Sequence, residues 1–318
     1  MTELEITKVI ANISSNCFKK KRICLYHNCT HEAINSHLLQ RNGILNHISE
    51  NNHIYQLRAN YGLRIGAKKQ IGFELISDKK GMAFLGFCEN HDNALFKHIE
   101  KDNSDFSDYK SKLLFTYRAF SNELRKKEII IDLFDRCINS NTLKGQINEI
   151  YLKNSSDDFK KGFNHLKKYV EYCYNDLTNN ECNFIFVEYV FDKFEFCASS
   201  VFSPAEVSEL IGENLINMIA IHVIPLENSL KVILGYHKNH VDDWVINYIT
   251  SYKNIDRFLL LEKLSDLITN RIETWAISVS LYKTITQEKL ELHDYYFKSN
   301  IENHSRDLKS TFNLFENS

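Results

Sequence analysis

The chain has 318 residues, 43% hydrophobic and 25% charged, with 39 Lys and Arg against 41 Asp and Glu for a net charge of −2. That is the composition of an ordinary globular protein, and it excludes a globally basic nucleic-acid-coating surface. With only two prolines and ten glycines it also excludes long linkers and extended disorder. The charge is uneven: residues 1–100 hold thirteen Lys and Arg against nine Asp and Glu, or +4, together with seven of the thirteen histidines, which leaves −6 for the remainder. No run of about 18 apolar residues is present, so a membrane-spanning helix is not expected. Met1-Thr2-Glu3-Leu4-Glu5 is acidic and lacks an apolar core, so a secretory leader is not expected either. A reducing cytoplasm follows as the expectation, and there cysteines act as metal ligands or core residues, not as disulfides.

Residues 1–18 read as a short helix or arm, followed by the basic run Lys19-Lys20-Lys21-Arg22. A turn from Cys24 to Cys29 comes next. Residues 32–50 read as helical, because Ile34, Leu38, Leu39, Ile44, Leu45 and Ile48 recur near the helical period, with a bend at Gly43. Residues 53–57 and 71–76 read as short strands among the punctuating glycines 62, 66, 72 and 81. Residues 82–87 form a short apolar strand, and 90–100 resemble a helix. Residues 104–177 are helical in pattern, with Tyr109, Leu113, Leu114, Tyr117, Phe120 and Leu124 on one stripe.

The periodicity then changes. Residues 183–191, 193–202, 217–224 and 229–237 are rich in Phe, Val, Ile and Tyr and read as four antiparallel strands in two hairpins, the turns lying at Asp192 and at Pro225-Leu226-Glu227-Asn228. Residues 241–251, 255–267 and 271–284 read as helices. Phe297, Phe312 and Phe315 are docking points on a polar tail.

The chemistry-bearing feature is a split Cys/His constellation. Cys24 and Cys29 form one two-ligand turn; Cys88 and His91, in Phe87-Cys88-Glu89-Asn90-His91-Asp92, form another. Two such turns brought together by the fold supply the four N/S ligands of a tetrahedral structural zinc, whatever length separates them. His27 and His31 flank the first turn as substitute ligands. The other cysteines, 17, 137, 173, 182 and 197, are scattered and read as small core residues. His37 and Asp92 are not needed for the tetrahedron but stand beside it. His37 also reads as a core or zinc-site histidine, and Asp92 as the N-cap of the following helix. Lys19 to Arg22, with Lys68-Lys69 and Lys79-Lys80, are candidate phosphate contacts or solvated loops. His237-Lys238-Asn239-His240 with Asp242-Asp243 is a polar cluster that reads as a capped loop or a ligand site. Ser199-Ser200 lacks a nucleophile-elbow context, and neither common phosphate-binding glycine loop occurs.

Over residues 22–100 the layout resembles the zinc-stabilised branch of the HNH endonucleases, a ββα-metal fold, and is similar to bacterial proteins sharing this Cys–His arrangement with a C-terminal sheet. The resemblance rests on the Cys pair, on Ala33-Ile34-Asn35-Ser36-His37-Leu38-Leu39, and on Phe84-Leu85-Gly86-Phe87-Cys88-Glu89-Asn90-His91-Asp92-Asn93-Ala94-Leu95-Phe96. It implies His37 as the general base that activates water, and Asp92 as a ligand of a catalytic Mg²⁺ or Mn²⁺ in the place of the family's last histidine. It also implies DNA or RNA as substrate and a setting in antiviral defence. Two positions depart from the pattern: Ser36 replaces the usual acid or histidine, and Met82 falls near the family's middle asparagine.

The expected architecture is α+β. Residues 1–103 form a zinc-binding ββα-metal-like module; residues 104–318 form an α+β domain with helices over 104–177, a four-stranded antiparallel sheet over 183–237 and helices over 241–290. Two functions follow: a metal-dependent nuclease, or a non-catalytic zinc module that binds a protein or nucleic-acid partner. Oligomeric state is left open.

Overall fold

In the computed structural model the described residues are 1–59, 71–100, 105–204, 209, 214–300, 306 and 312–316. They form α1 (Glu3–Lys19), β1 (Asn35–His37), a 3-10 turn (Leu45–His47), β2 (His53–Ala59), β3 (Ile71–Ser77), β4 (Ala83–Leu85) and α2 (Glu89–Phe96). Then come α3 (Tyr109–Ile138), α4 (Glu149–Asn179), β5 (Phe184–Asp192), β6 (Phe196–Phe202), β7 (Ile219–Pro225) and β8 (Ser229–His237). The chain continues through α5 (Asp243–Thr250), α6 (Arg257–Asn270), β9 (Trp275–Ile277), α7 (Val279–Thr284) and α8 (Gln287–Asn300).

The main sheet has seven strands in the order β3-β2-β9-β6-β7-β8-β5, not four, and every ladder is antiparallel. The four expected strands are there as β5 to β8, and three more join them. β2 and β3 come from the N-terminal hundred residues and reach the sheet through β9, where Tyr55 pairs with Ile277 and Gln56 with Ala276. The sheet therefore draws on both sides of residue 103. The β7–β8 hairpin forms as expected, but β5 does not pair with β6: it lies along β8 from Phe184↔His237 to Asp192↔Ser229. Residues 271–284, expected as one helix, are divided into β9 and α7.

Alternation along the strands sets two cores. Ile219, Ile221 and Val223 of β7 with Leu230, Val232 and Leu234 of β8 face α5, α6 and the C-terminal aromatics Phe297, Phe312 and Phe315. The docking role expected of those three phenylalanines is thus fulfilled. Ala220, Ile224 and Ile233 face α3, α4 and the N-terminal module. Between module and sheet runs α3, buried without interruption from Leu113 to Asn122. A helix with no solvated face must satisfy its polar residues inside the protein. On the sheet side Thr116 Oγ1 meets His222 Nε2 at 3.1 Å, and Ser199 Oγ meets Nδ1 of the same ring at 3.0 Å. Glu123 accepts from Ser200 and from the Lys126 ammonium.

Residues 32–50 are not helical. β1 pairs antiparallel with β4 (Asn35↔Leu85, Ser36↔Phe84, His37↔Ala83), and the rest is turns and the short 3-10 segment. Leu38, Leu39, Ile44, Leu45 and Ile48 are all buried in the same core. Their spacing reflects a segment packed inward at successive turns, and burial alone does not require helical period. α2 follows β4 directly. β1, β4 and α2 follow in that order, and β2 and β3 come from the described residues between β1 and β4.

Candidate metal centre

The first cysteine turn is the tip of a small hairpin. Cys24 N–H donates to His31 O at 2.9 Å and Ala33 N–H to Arg22 O at 2.8 Å, and Asn28 takes the left-handed conformation (φ 57°) that asparagine tolerates. This hairpin is laced to the segment entering the second turn: Leu25 N–H donates to Gly86 O at 2.9 Å and Ile34 N–H to Phe87 O at 2.8 Å. Cys88 is the N-cap of α2, and His91 lies on its first turn.

The two turns converge. Ligand atoms of Cys24, Cys29, Cys88 and His91 all lie within 4.8 Å of one another, and this is the one such Cys/His/carboxylate group among the described residues. Cys24 Sγ and Cys88 Sγ stand 3.5 and 3.2 Å from His91 Nδ1, and Cys29 Sγ stands 3.9 Å from Cys88 Sγ. A tetrahedral zinc with bonds near 2.3 Å to sulfur and 2.0–2.1 Å to nitrogen needs separations of about 3.8 Å and about 3.6 Å. The donor set and its spacing therefore fit a metal ion such as zinc. His31 Nδ1 also approaches Cys29 Sγ, at 3.6 Å, but from an exposed position outside the four.

The two N-terminal-module thiols that flank His91 sit in different surroundings. Burial pushes the Cys24 thiol up to about 12, and the N–H of Tyr26 donates to its sulfur at 3.4 Å. Burial also pushes Cys88 up, but the backbone N–H groups of His91 and Asn90 and the Cys29 and Cys24 sulfurs outweigh it and leave Cys88 below the ordinary thiol range. Tyr26 stacks on the His91 ring (3.9 Å between centroids, 21°), and Tyr174 of α4 packs edge-on against Tyr26.

The remaining cysteines divide. Cys17, Cys137, Cys173 and Cys197 are buried as expected, whereas Cys182 is exposed and is not a core residue. In the basic run Lys20 pairs with Asp132 and the buried Arg22 with both Glu128 and Asp132, which fastens these two to α3, while Lys21 pairs with Glu32 of the same hairpin and Lys19 is exposed. Lys68 and Lys69 lie outside the described residues; Lys79 and Lys80 are exposed on a turn. Asp242 N-caps α5 through Val245 N–H, and the His237 ring stacks on Tyr172 (4.3 Å), as a capped loop would have it. Ser199, His222 and Thr116 form a sealed structural bridge. Burial lowers the fully enclosed His222 to about 3.

His37 lies on strand β1, not on a helix, and Asp92 on α2 beside His91. The fold brings both into a cluster with Glu100 and with Arg118 of α3. Arg118 is fully buried. Its Nη2 bonds Glu100 Oε1 at 2.6 Å and stands 3.5 Å from Asp92 Oδ1, and its guanidinium carbon sits 3.8 Å over the Phe96 ring. Four buried atoms here have no hydrogen-bond partner: His37 Nε2, Asp92 Oδ1, and Nε and Nη1 of Arg118. Burial holds His37 below its ordinary range; the Arg118 charge acts in the same direction, while the Asp78 backbone, Asp92 and Glu100 oppose it. Asp92 makes no N-cap: Cys88 holds that position.

Sequence reasoning missed Arg118, Arg125 and Glu100. Arg125, also buried, donates from Nε to Leu85 O at 2.6 Å and from Nη2 to Ile23 O, so one guanidinium grips the segments entering both cysteine turns. The signal was present in α3: an arginine in a run with no solvated face must find its partners inside.

No protein-family model matches the chain, and neither a curated protein nor a solved structure matches it. No described helix is long and apolar enough to cross a membrane. The site's chemistry therefore carries the functional reading.

Proposed function

We propose that this chain is a zinc-stabilised, HNH-like nuclease, with Cys24, Cys29, Cys88 and His91 holding the structural zinc and His37 as general base. One observation carries the reading. His37 on β1 and Asp92 on α2 act on each other electrostatically, and each keeps one buried atom, Nε2 and Oδ1, without a protein hydrogen-bond partner. A buried polar atom without a protein partner calls for one from outside the chain, such as an ion, a water or a substrate. An imidazole kept neutral by burial is a competent proton acceptor near neutral pH. Asp92 offers the carboxylate oxygen that a hard divalent ion takes, and such an ion supplies charge stabilisation at a phosphate when bound. The chain's own contribution is to orient His37 on β1 and to hold Asp92 on α2 at a fixed separation. The substrate class that suits this chemistry is a phosphodiester in DNA or RNA, and a role in bacterial defence against foreign nucleic acid belongs to the same proposal.

The test is cleavage of plasmid DNA and of RNA by zinc-loaded protein with Mg²⁺ or Mn²⁺. Cleavage that falls at least 100-fold in His37→Ala supports the reading; no cleavage, or equal cleavage by the variant, refutes it.

A second reading has its own observation. Arg118 stands beside the oxygen that a divalent ion would use, Met82 replaces the family's asparagine and is fully buried, and Ser36 is fully buried with its Oγ accepting from Phe87 N–H. These features suit a non-catalytic zinc module that presents a surface to a protein or nucleic-acid partner. Under that reading cellular function survives His37→Ala and is lost in Cys88→Ser.

A further inference from the structure

The Arg118–Asp92 contact is unusual in its geometry. Arg118 is fully buried, yet it makes one close bond, to Glu100 at 2.6 Å, and leaves Nε and Nη1 without acceptors. Its approach to Asp92 Oδ1, at 3.5 Å, is an ionic contact without a hydrogen bond, and that oxygen has no other partner. A buried guanidinium normally fills its fork against carboxylates. Here two donors and one acceptor, all buried, face a contact that is close enough to neutralise charge and too loose to satisfy it. Gln40 anchors the Glu100 side, its Nε2 donating to the Glu100 carbonyl at 2.8 Å. Phe96 backs the guanidinium at 3.8 Å.

We propose that Arg118 is a protein-borne counter-ion that competes with divalent cations for Asp92, so that the module binds its second metal only when the Arg118–Asp92 contact is released. The electrostatics are direct. A dication at Asp92 Oδ1 would stand close to the guanidinium that already faces that oxygen at 3.5 Å, and two cations so near one another repel at low local dielectric, so each weakens the other's hold. Glu100 sets the balance. It lies at the module's edge, about a third exposed, and draws the guanidinium away from Asp92. Arg118 belongs to α3, whose other face is tied to the main sheet through Thr116–His222 and Glu123–Ser200. Arg118 is a positioning residue here.

This inference rests on the reading of Asp92 given above, and its readout is metal binding, not cleavage. Zinc-loaded full-length protein is titrated with Mn²⁺ and free ion is followed by electron paramagnetic resonance. Wild type is expected to bind Mn²⁺ weakly. Arg118→Gln is expected to bind at least ten times more tightly, Arg118→Lys to stay near wild type, and Arg118→Gln with Asp92→Asn to lose the gain. Should Arg118→Gln fail to fold, Glu100→Gln, at a partly exposed position, gives the converse: Arg118 turns to Asp92 and Mn²⁺ affinity falls threefold or more. Equal Mn²⁺ affinity in wild type, Arg118→Gln and Glu100→Gln overturns the proposal, as does a gain that survives Asp92→Asn. Tight, Asp92-dependent Mn²⁺ binding by Arg118→Gln without cleavage would refute the nuclease reading and leave the competition intact.

Discussion

Arg125→Met tests whether α3 holds the metal module together. The guanidinium is buried and donates to the carbonyls of Ile23 and Leu85, one residue before Cys24 and three before Cys88, while also pairing with Glu128. Hydrogen bonds from a charged group contribute about 1.5–3 kcal/mol each, so losing both carbonyl bonds costs about 3–6 kcal/mol. Methionine refills most of the volume, so no large cavity forms. Glu128 is not stranded either, because Arg22 Nη1 still holds it at 3.1 Å. We expect a loss of about 4 kcal/mol, or a melting temperature lower by about 8 °C for a chain of this size. Both cysteine turns lose an anchor, so zinc should also leave faster. Urea denaturation gives the stability, and a chromogenic chelator gives the zinc-release rate. A stability loss below about 1 kcal/mol with unchanged zinc release would refute the argument that one buried arginine braces both turns.

Metal analysis of purified protein should find one zinc per chain, and Cys88→Ser should lose it. Chelation should raise amide exchange in 22–37 and 83–96 first, because there the metal replaces a larger apolar core; no stoichiometric metal would end that reasoning. His293→Phe should flatten the acid limb of stability. Burial lowers His293 to about 4 from 6.5, so the folded state refuses a proton that the unfolded chain accepts below about pH 6.5. Stability conferred by the neutral ring is therefore present above pH 6.5 and lost as pH falls towards 4, by about 2.5 pKa units or about 3 kcal/mol. Equal pH slopes for wild type and His293→Phe would contradict it. Gly235→Ala should destabilise by about 1–3 kcal/mol in urea denaturation, since a Cβ there meets Phe186 ring atoms at 2.5 and 2.6 Å and forces that ring from its packing. A loss near zero would show that Phe186 moves freely.

The Cys/His cluster that could hold a metal was legible because its signal is local: each pair sits on one tight turn, and only the meeting of the turns is tertiary. The strands β5 to β8 were legible from runs of Val, Ile and Phe. β9 was not, since three residues carry no period. β1 was hidden by the spacing of Ile34, Leu38, Leu39, Ile44, Leu45 and Ile48, which matches a helix although Ile34 is exposed and the other five are buried from turns and the short 3-10 segment. β5 looked like the hairpin partner of β6 because they are neighbours in sequence; in the fold it pairs along its full length with β8.

By itself the sequence determined the four candidate metal donors, the character of most elements and the alternation that gives β7 and β8 two apolar faces, because these depend on side-chain chemistry and on periods of two or 3.6 residues. Tertiary structure alone decided that residues 38–82 lend two strands to a distant sheet, and that His37, Asp92, Glu100 and Arg118 meet. Those four come from β1, α2, the segment after it and α3. No spacing along the chain encodes their meeting. It follows from the middle of α3, residues 113–122, being buried without interruption, which leaves the Arg118 guanidinium to settle against the carboxylates that the packing brings within reach.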